Sequence, residues 1–253
     1  MEDHNPTLRV IRILESLIGQ PEGKTLTEIA KSCEMPKGSI FPIVHTLADH
    51  KLLRYDDLSS KYSIGIRCYE IGNEYIMQMN VSDEIRELTK KIVNQCRETA
   101  HFAVLDGSDV VYLMKQDSSE AIRMVSSIGK RIPAYSTAIG KALLSGYSDE
   151  QVHALYPEGL KKITDKTITS LDVLCGQLGE IRKTKIAYET EESSLNITCI
   201  AVPLEKNGEV VAAFSVSIPI FRATKEKKEQ VKAVLFEAKE EVETLIRTLP
   251  FHI

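Results

Sequence analysis

The chain has 253 residues, of which 43% are hydrophobic and 27% charged, and its net charge is −4. That composition is ordinary for a globular protein, with enough apolar residues to bury a full core in one large or two smaller domains. No apolar run approaches the ~20 residues that span a bilayer, and the acidic, polar start MEDHNPT is not a signal peptide, so a cytoplasmic location is expected. The cysteines Cys33, Cys68, Cys96, Cys175 and Cys199 are odd in number and scattered, with no C-x-x-C pair, and the six histidines form no H-x-x-x-H pair. Neither a disulfide framework nor a metal site is expected, and no motif calls for a cofactor. The negative balance does not advertise nucleic-acid binding by the whole chain, so such a reading rests on local features.

The first predicted helix runs from Pro6 to Ile18, with Asn5 as its cap and Pro6 at its first position. Val10, Ile13, Leu14, Leu17 and Ile18 form its apolar stripe, and Gly19, Pro21 and Gly23 break it. In LTEIAKSCE, Thr25 and Glu28 have the spacing of a capping box, and Leu26, Ile29, Ala30 and Cys33 are the residues expected inside. After a short turn, KGSIFPIVHTL carries Ile40, Ile43, Val44 and Leu47 at helical spacing, with Pro42 among them. A proline is tolerated in the first turn, where N–H groups have no helical partner. Ser39 is therefore read as the N-cap, with the helix running from Ile40 to about His50 and Pro42 in its first turn.

Leu52–Tyr55 and Tyr62–Ile64 are short β-like runs around the polar turn Asp-Asp-Leu-Ser-Ser-Lys, which predicts a small hairpin. Helix, helix, turn, helix, hairpin is the layout of a winged helix-turn-helix, whose last helix enters the major groove. Residues Ile66–Met79 predict a connecting helix, with Tyr69, Gly72, Ile76 and Met79 along one side. A helix capped by Ser82 follows, with Ile85, Leu88, Ile92 and Cys96 on one face. AHFAVLD and DVVYLMKQ flank Gly107, and ITCIAVPL and EVVAAFSVSI flank Asn207-Gly208, a strong hairpin signal. A long helix, Lys225–Leu249, closes the chain. Helices at both ends of an antiparallel sheet make an α+β domain.

Five segments in order resemble the IclR family of bacterial transcriptional regulators, over nearly the whole chain. They are LTEIAKSCEMPKGS in the helix-turn-helix; Arg97-Glu98-Thr99-Ala100-His101, similar to G-E-T-x-H; PAYSTAIGKALL (Pro133–Leu144), similar to P-x-H-x-T-x-x-G-K-A-L-L; Thr167–Thr169, similar to T-I-T; and EESSLNITCIAVP (Glu191–Pro203), similar to E-E-x-x-x-G-x-x-C-I-A-x-P. Three departures stand out. The family's Thr-Val-His-Arg is Ser39-Ile40-Phe41-Pro42 here, a family Gly is Asn196, and a family His is Tyr135. Asn also adopts positive φ; the first departure changes the probable DNA contacts, so operator specificity does not carry over.

The resemblance implies a winged helix-turn-helix at residues 1–65, a linker helix at 66–80 and a GAF-like effector-binding domain with a central antiparallel sheet at 81–253. It also implies a homodimer or dimer of dimers on double-stranded operator DNA. Lys37, Ser39, Phe41, His45 and Thr46 are the candidates for the groove, and Lys51, Arg54 and Lys61 for phosphate. The segment Lys24–Arg67 holds seven Lys/Arg against five Asp/Glu, a balance of only +2. Carried over by position, an effector pocket would include Met124, Ile132, Ala138, Ile139, Glu189, Ile197, Cys199, Ser215 and Ser217. Ser215 and Ser217 alternate along a strand and share a face, as do Ile197 and Cys199. Ala138 and Ile139 begin a helix after Thr137, where free N–H groups attract a carboxylate. A small organic-acid or sugar-acid effector fits this set, and a repressor of a catabolic operon is the functional expectation. The alternatives are a small-molecule enzyme or a redox sensor using Cys199. Its candidate base is His101, but no third partner is evident.

Overall fold

The computed structural model describes residues 4–78, 81–124 and 126–248. The chain divides into two units, Met1–Met77 and Gln78–Ile253.

The first unit contains α1 (Asn5–Glu15), β1 (Lys24–Thr25), α2 (Leu26–Ser32), α3 (Lys37–Asp49), β2 (Leu53–Asp56), β3 (Lys61–Ile64) and α4 (Ile66–Met77). Its strands form an antiparallel sheet in the order β1-β3-β2. The helices pack around Ile13, Leu17, Ile29, Ala30, Cys33, Ile40, Val44 and Leu47, with Leu53 and Tyr62 from the hairpin closing the core. The capping box at α2 forms as the spacing predicts: Glu28 N–H donates to Thr25 Oγ1 at 3.3 Å, and Thr25 N–H donates to Glu28 Oε2 at 2.8 Å.

Two helix starts in this unit differ from expectation. In α1 the N-cap is His4 rather than Asn5, and Pro6 stands second. This helix also ends early, at Glu15, where the Ser16 hydroxyl donates to the Ile13 carbonyl at 2.8 Å and competes with the backbone ladder. Leu17 remains buried beyond the helix, but Ile18 is exposed. In α3 the N-cap is Pro36, at φ −61° and ψ 139°, and Lys37 is the first helical residue. Ser39 is therefore not the cap; its own N–H donates to the Pro36 carbonyl at 3.0 Å. Pro36 brings a fixed φ suited to the entry of a helix, which outweighs the hydroxyl of Ser39. Pro42 thus lies inside the helix, where it denies a donor to the carbonyl of Gly38. Both residues are on the exposed side.

The second unit contains α5 (Ser82–Cys96), β4 (Thr99–Asp106), β5 (Asp109–Gln116), β6 (Arg131–Pro133), α6 (Ala138–Leu144), α7 (Asp149–Leu155), α8 (Leu171–Thr184), β7 (Ala187–Thr190), β8 (Ile197–Lys206), β9 (Glu209–Pro219) and α9 (Lys225–Thr248). All six strands pair antiparallel in the order β6-β5-β4-β9-β8-β7. The β8–β9 turn has Asn207 and Gly208 both at positive φ, 54° and 87°, as a two-residue hairpin turn of this hand requires. One face of the sheet packs on α5 and α9, where Lys239 donates to the Pro203 carbonyl at 2.7 Å. The other face packs on α6, with α8 behind it. The cap of α5 is Val81 without a side-chain bond, not Ser82, which is the first helical residue; Asp83 and Glu84 supply acidic charge to the first turn instead. Met79 and Leu249, expected in the connecting and closing helices, lie outside the described residues.

Since Pro42 is interior to α3, Pro42→Ala is expected to stabilise the first unit by about 2 kcal/mol. The helix regains a donor and loses a clash, a gain of up to ~3 kcal/mol, and a more flexible unfolded chain offsets up to ~1 kcal/mol. Urea unfolding monitored in this unit measures the change; an unaltered midpoint would contradict the interior placement.

Candidate functional site

The exposed face of α3 is built by exclusion. Ile40, Val44 and Leu47 are buried, so Lys37, Ser39, Phe41, Pro42, His45, Thr46 and Asp49 face out. Phe41 is 52% exposed, large for a phenylalanine, and its ring lies 5.9 Å from that of His45. His45 Nδ1 is 3.1 Å from Asp49 Oδ2, and the Thr46 hydroxyl donates to the Pro42 carbonyl at 2.8 Å. On the hairpin, Arg54 pairs across from Ser63 and Lys61 from Asp56. Alternation places Arg54 and Lys61 on the same face of the wing, opposite the tilted, contacting rings of Tyr55 and Tyr62. Lys51 is exposed between α3 and β2, at φ 61°. The first unit therefore presents a helix face and a wing on which Asp56 and Asp57 balance Arg54 and Lys61, with Asp49 beside His45.

In the second unit the register brings a polar row onto the α6 face of the sheet. Glu189 on β7 pairs with Cys199 on β8, Cys199 with Ser217 on β9, and Ser217 with Thr99 on β4. Cys199 Sγ and Ser217 Oγ are 3.2 Å apart. The next row along this face is Ala187, Ala201, Ser215 and His101. All eight residues are buried. Ile132, Ala138, Ile139 and Cys199 belong to the apolar cluster between this face and α6, and Ile197 packs against it. Seven of the nine pocket candidates thus sit on or beside one sheet face: Glu189, Ile197, Cys199, Ser215, Ser217 and the two α6 residues. Ile132 joins them from β6, and Met124 is buried in the loop that precedes β6.

Helix α6 is held close. Thr137 caps it, accepting from Gly140 N–H at 3.0 Å. Gly140 is required here because a Cβ would stand 2.2 Å from the Ala134 carbonyl oxygen. One turn of α6 carries Lys141, fully buried, whose Nζ lies 2.5 and 2.7 Å from the two carboxylate oxygens of Glu192. Thr164 and Thr167 donate to the carbonyls of Glu191 and Glu192 at 2.5 and 2.7 Å. Glu192 N–H donates to Glu189 Oε2 at 2.8 Å. Lys141, Glu192 and the threonine loop therefore fix Glu189. Asn196, in place of a family Gly, does adopt positive φ, at 63°. Tyr135, in place of a family His, donates its hydroxyl to the Lys161 carbonyl at 2.7 Å.

Burial raises the Glu189 carboxyl from 4.5 to about 7, opposed by the hydrogen bond from Glu192 N–H. Burial lowers His101 from 6.5 to about 3, with Lys115 adding to the shift. Burial also pushes the Cys199 thiol well above its ordinary range, with the Glu189 charge adding to it. A thiol held neutral by burial, beside Ser217 and the Glu189 carboxyl, lacks the electropositive surroundings that activate a cysteine.

Residues 7–57 match the IclR helix-turn-helix domain, and residues 73–244 match the bacterial transcriptional regulator IclR C-terminal domain. The chain belongs to the IclR family. Its relatives include the HTH-type transcriptional regulator KdgR of Escherichia coli, 31% identical over 91% of this chain and 88% of that protein. The Thermotoga maritima IclR structure matches with a TM-score of 0.77 at 29% identity, covering 96% of this chain and 100% of that one. An IclR homologue of Microbacterium hydrocarbonoxydans complexed with 4-hydroxybenzoate shares the fold, with a TM-score of 0.85 at 22% identity, covering 95% and 98%. The family is one of DNA-binding transcriptional regulators, not enzymes, with a helix-turn-helix domain and a C-terminal effector-binding domain. Among the described residues no helix is long and apolar enough to cross a membrane.

Sequence reasoning missed Lys141 and Glu192 as the frame of the site, although both lie inside the quoted motifs. It weighed His101 only as a catalytic base. A buried lysine leaves no periodic signal, because its position on a helix reads as an ordinary solvated charge.

The two shifted groups predict opposing pH effects. Glu189 has a raised folded pKa, so the folded state keeps a proton that the unfolded chain loses above about 4.5; its contribution to stability falls as pH rises from about 4.5 to 7. His101 has a depressed folded pKa, so the unfolded chain takes up a proton that the folded state refuses; its contribution rises with pH from about 3 to 6.5. The slopes oppose one another between pH 4.5 and 6.5. Glu189→Gln should therefore gain, and His101→Phe lose, stability with rising pH across that window, each by about 2 kcal/mol relative to the parent protein. Chemical denaturation at pH 5 and 6.5 measures both; profiles parallel to the parent's would show that neither group is shifted.

Proposed function

We propose that the chain is a cytoplasmic repressor of a catabolic operon, released from double-stranded operator DNA by a small organic-acid or sugar-acid effector. The observation that carries this reading is the buried polar row Glu189–Cys199–Ser217 facing α6, in a chain that also has a winged helix-turn-helix. A mostly apolar enclosure with a few convergent polar groups is the usual form of a small-molecule site. The neighbour with bound 4-hydroxybenzoate supports an acid as ligand. On this reading residues 1–65 bind DNA, 66–80 link, and 81–253 sense the effector. Lys37, Ser39, Phe41, His45 and Thr46 meet the groove, and Lys51, Arg54 and Lys61 meet phosphate. Met124, Ile132, Ala138, Ile139, Glu189, Ile197, Cys199, Ser215 and Ser217 line the pocket.

The protein acts as a homodimer or dimer of dimers. Helix α4 has no buried residue, and Ile66, Tyr69, Ile71 and Met77 are each at least 60% exposed. A second copy would cover such apolar surface, and two recognition helices would supply the affinity that a balance of +2 does not. Light scattering at micromolar concentration should give a dimer or larger; a monomer would overturn this.

Arg54→Ala and Lys61→Ala are expected to weaken binding to operator and random DNA about equally, each reducing the salt slope by about one. A loss confined to operator DNA, by fluorescence anisotropy across a salt series, would mean that they read bases.

Ser217→Ala should remove one effector hydrogen bond, worth roughly 0.5–1.5 kcal/mol, or up to ~3 for a charged effector. Operator binding without effector should survive. A screen of organic acids by thermal shift selects the ligand, because binding to the folded state raises the melting temperature. Full effector affinity in a destabilised Ser217→Ala protein would identify the serine as a core filler.

A further inference from the structure

Helix α3 carries few of the side chains that usually read base edges. Its sequence, KGSIFPIVHTLAD, contains no Arg, Asn or Gln, and Lys37 at the first helical position is its one permanent cation. The bidentate contacts by which Arg selects guanine, and Asn or Gln adenine, are therefore closed to it. The middle of its exposed face is apolar instead. Phe41 is 52% exposed, and Pro42 beside it is exposed as well. The Thr46 hydroxyl donates to the Pro42 carbonyl at 2.8 Å, so its proton is engaged within the helix.

The Phe41 ring is also supported. Phe41, His45 and Asp49 follow one another at i, i+4 spacing and form one row along the helix. His45 Nδ1 is 3.1 Å from Asp49 Oδ2, and the Phe41 and His45 rings lie 5.9 Å apart, tilted at 51°. An ionised carboxylate only accepts, so Nδ1 carries the proton and Nε2 of the neutral ring is an acceptor. The amino group of adenine suits that nitrogen; O6 and N7 of guanine, both acceptors, do not.

We infer that α3 recognises thymine by its C5 methyl group, with Phe41 as the specificity-determining residue. This rests on the reading of α3 as the helix that enters the major groove. The methyl is the one apolar group that base edges present there, and burying it against a phenyl ring is favourable. The other edges are hydrogen-bonding atoms. A phenyl ring laid on them removes water without supplying a partner, which is costly. The same ring therefore favours thymine and disfavours guanine and cytosine. Pro42 extends the apolar surface, and His45 faces the adenine of an A·T pair.

The test uses the full chain and a DNA site that it selects from a random pool. Each thymine of the selected site is replaced in turn by uracil, which removes the methyl and keeps every hydrogen-bonding atom. By fluorescence anisotropy, at least one replacement should lower affinity about fourfold, as expected for one buried methyl. Cytosine at that position should weaken binding at least tenfold, and 5-methylcytosine should recover part of the loss. In Phe41→Ala the uracil effect should vanish; in Phe41→Leu, which keeps an apolar side chain, it should persist. Melting temperatures verify that both variants fold. A selected site indifferent to every uracil would overturn the methyl contact and leave sequence-specific DNA binding standing. A uracil effect that persists in a folded Phe41→Ala protein would overturn the role of Phe41. Recovery of no common sequence from the pool would overturn the reading of α3 as a recognition helix, and this inference with it.

Discussion

The ion pair between Lys141 and Glu192 is the constraint on which the second unit's site depends. A lysine with no exposed surface is unfavourable unless its charge is met, and here both carboxylate oxygens meet it. Burial lowers the affinity of Lys141 for its proton, and Glu192 opposes that. The pair joins α6 to the segment after β7. That segment is also tied to the loop of Thr164 and Thr167, and its amide holds Glu189. One charged contact thus sets the distance between α6 and the polar row of the sheet. The seat of α6 also depends on Gly140, whose missing Cβ lets the helix approach Ala134.

A frame of this kind explains how the site tolerates unpaired atoms. Glu189 Oε1 and His101 Nδ1 are buried without a hydrogen-bond partner, which costs about 1–3 kcal/mol for such a group. The surrounding contacts hold them in place despite it. On the proposed reading, coupling to DNA would require differential binding: an effector shifts an equilibrium only as far as it prefers one conformation of the chain.

Local chemistry was largely legible in the sequence. Thr25 and Glu28 form the capping box their spacing announces, Thr137 caps α6, and Asn207-Gly208 turns the β8–β9 hairpin. Alternation placed Ser215 with Ser217 and Ile197 with Cys199, and the strand pairing sets Cys199 opposite Ser217. Three misplaced helix starts show what local rules leave out. Ser39 and Ser82 have good capping side chains, yet Pro36 and Val81 precede them at the actual boundaries. Asn5 likewise lies inside α1, after His4. A cap contributes about 1 kcal/mol, and packing of Ile40 or Ile85 into a core outweighs that. The role of His101 and Lys141 was hidden for a different reason. Their burial is set by strands and helices far apart in the chain, and no window of sequence holds both sides.

The central claim is that the ligand site lies between α6 and the face of β4, β9, β8 and β7. Hydrogen–deuterium exchange of the full chain, with and without a saturating acid that raises its melting temperature, tests this most directly. The account predicts slowed exchange in residues 137–141, 187–192, 197–201 and 213–219, with residues 99–103 protected as well. Protection confined to the helix-turn-helix, or to the outer surfaces of α8 and α9 with β4–β9 unchanged, would contradict it.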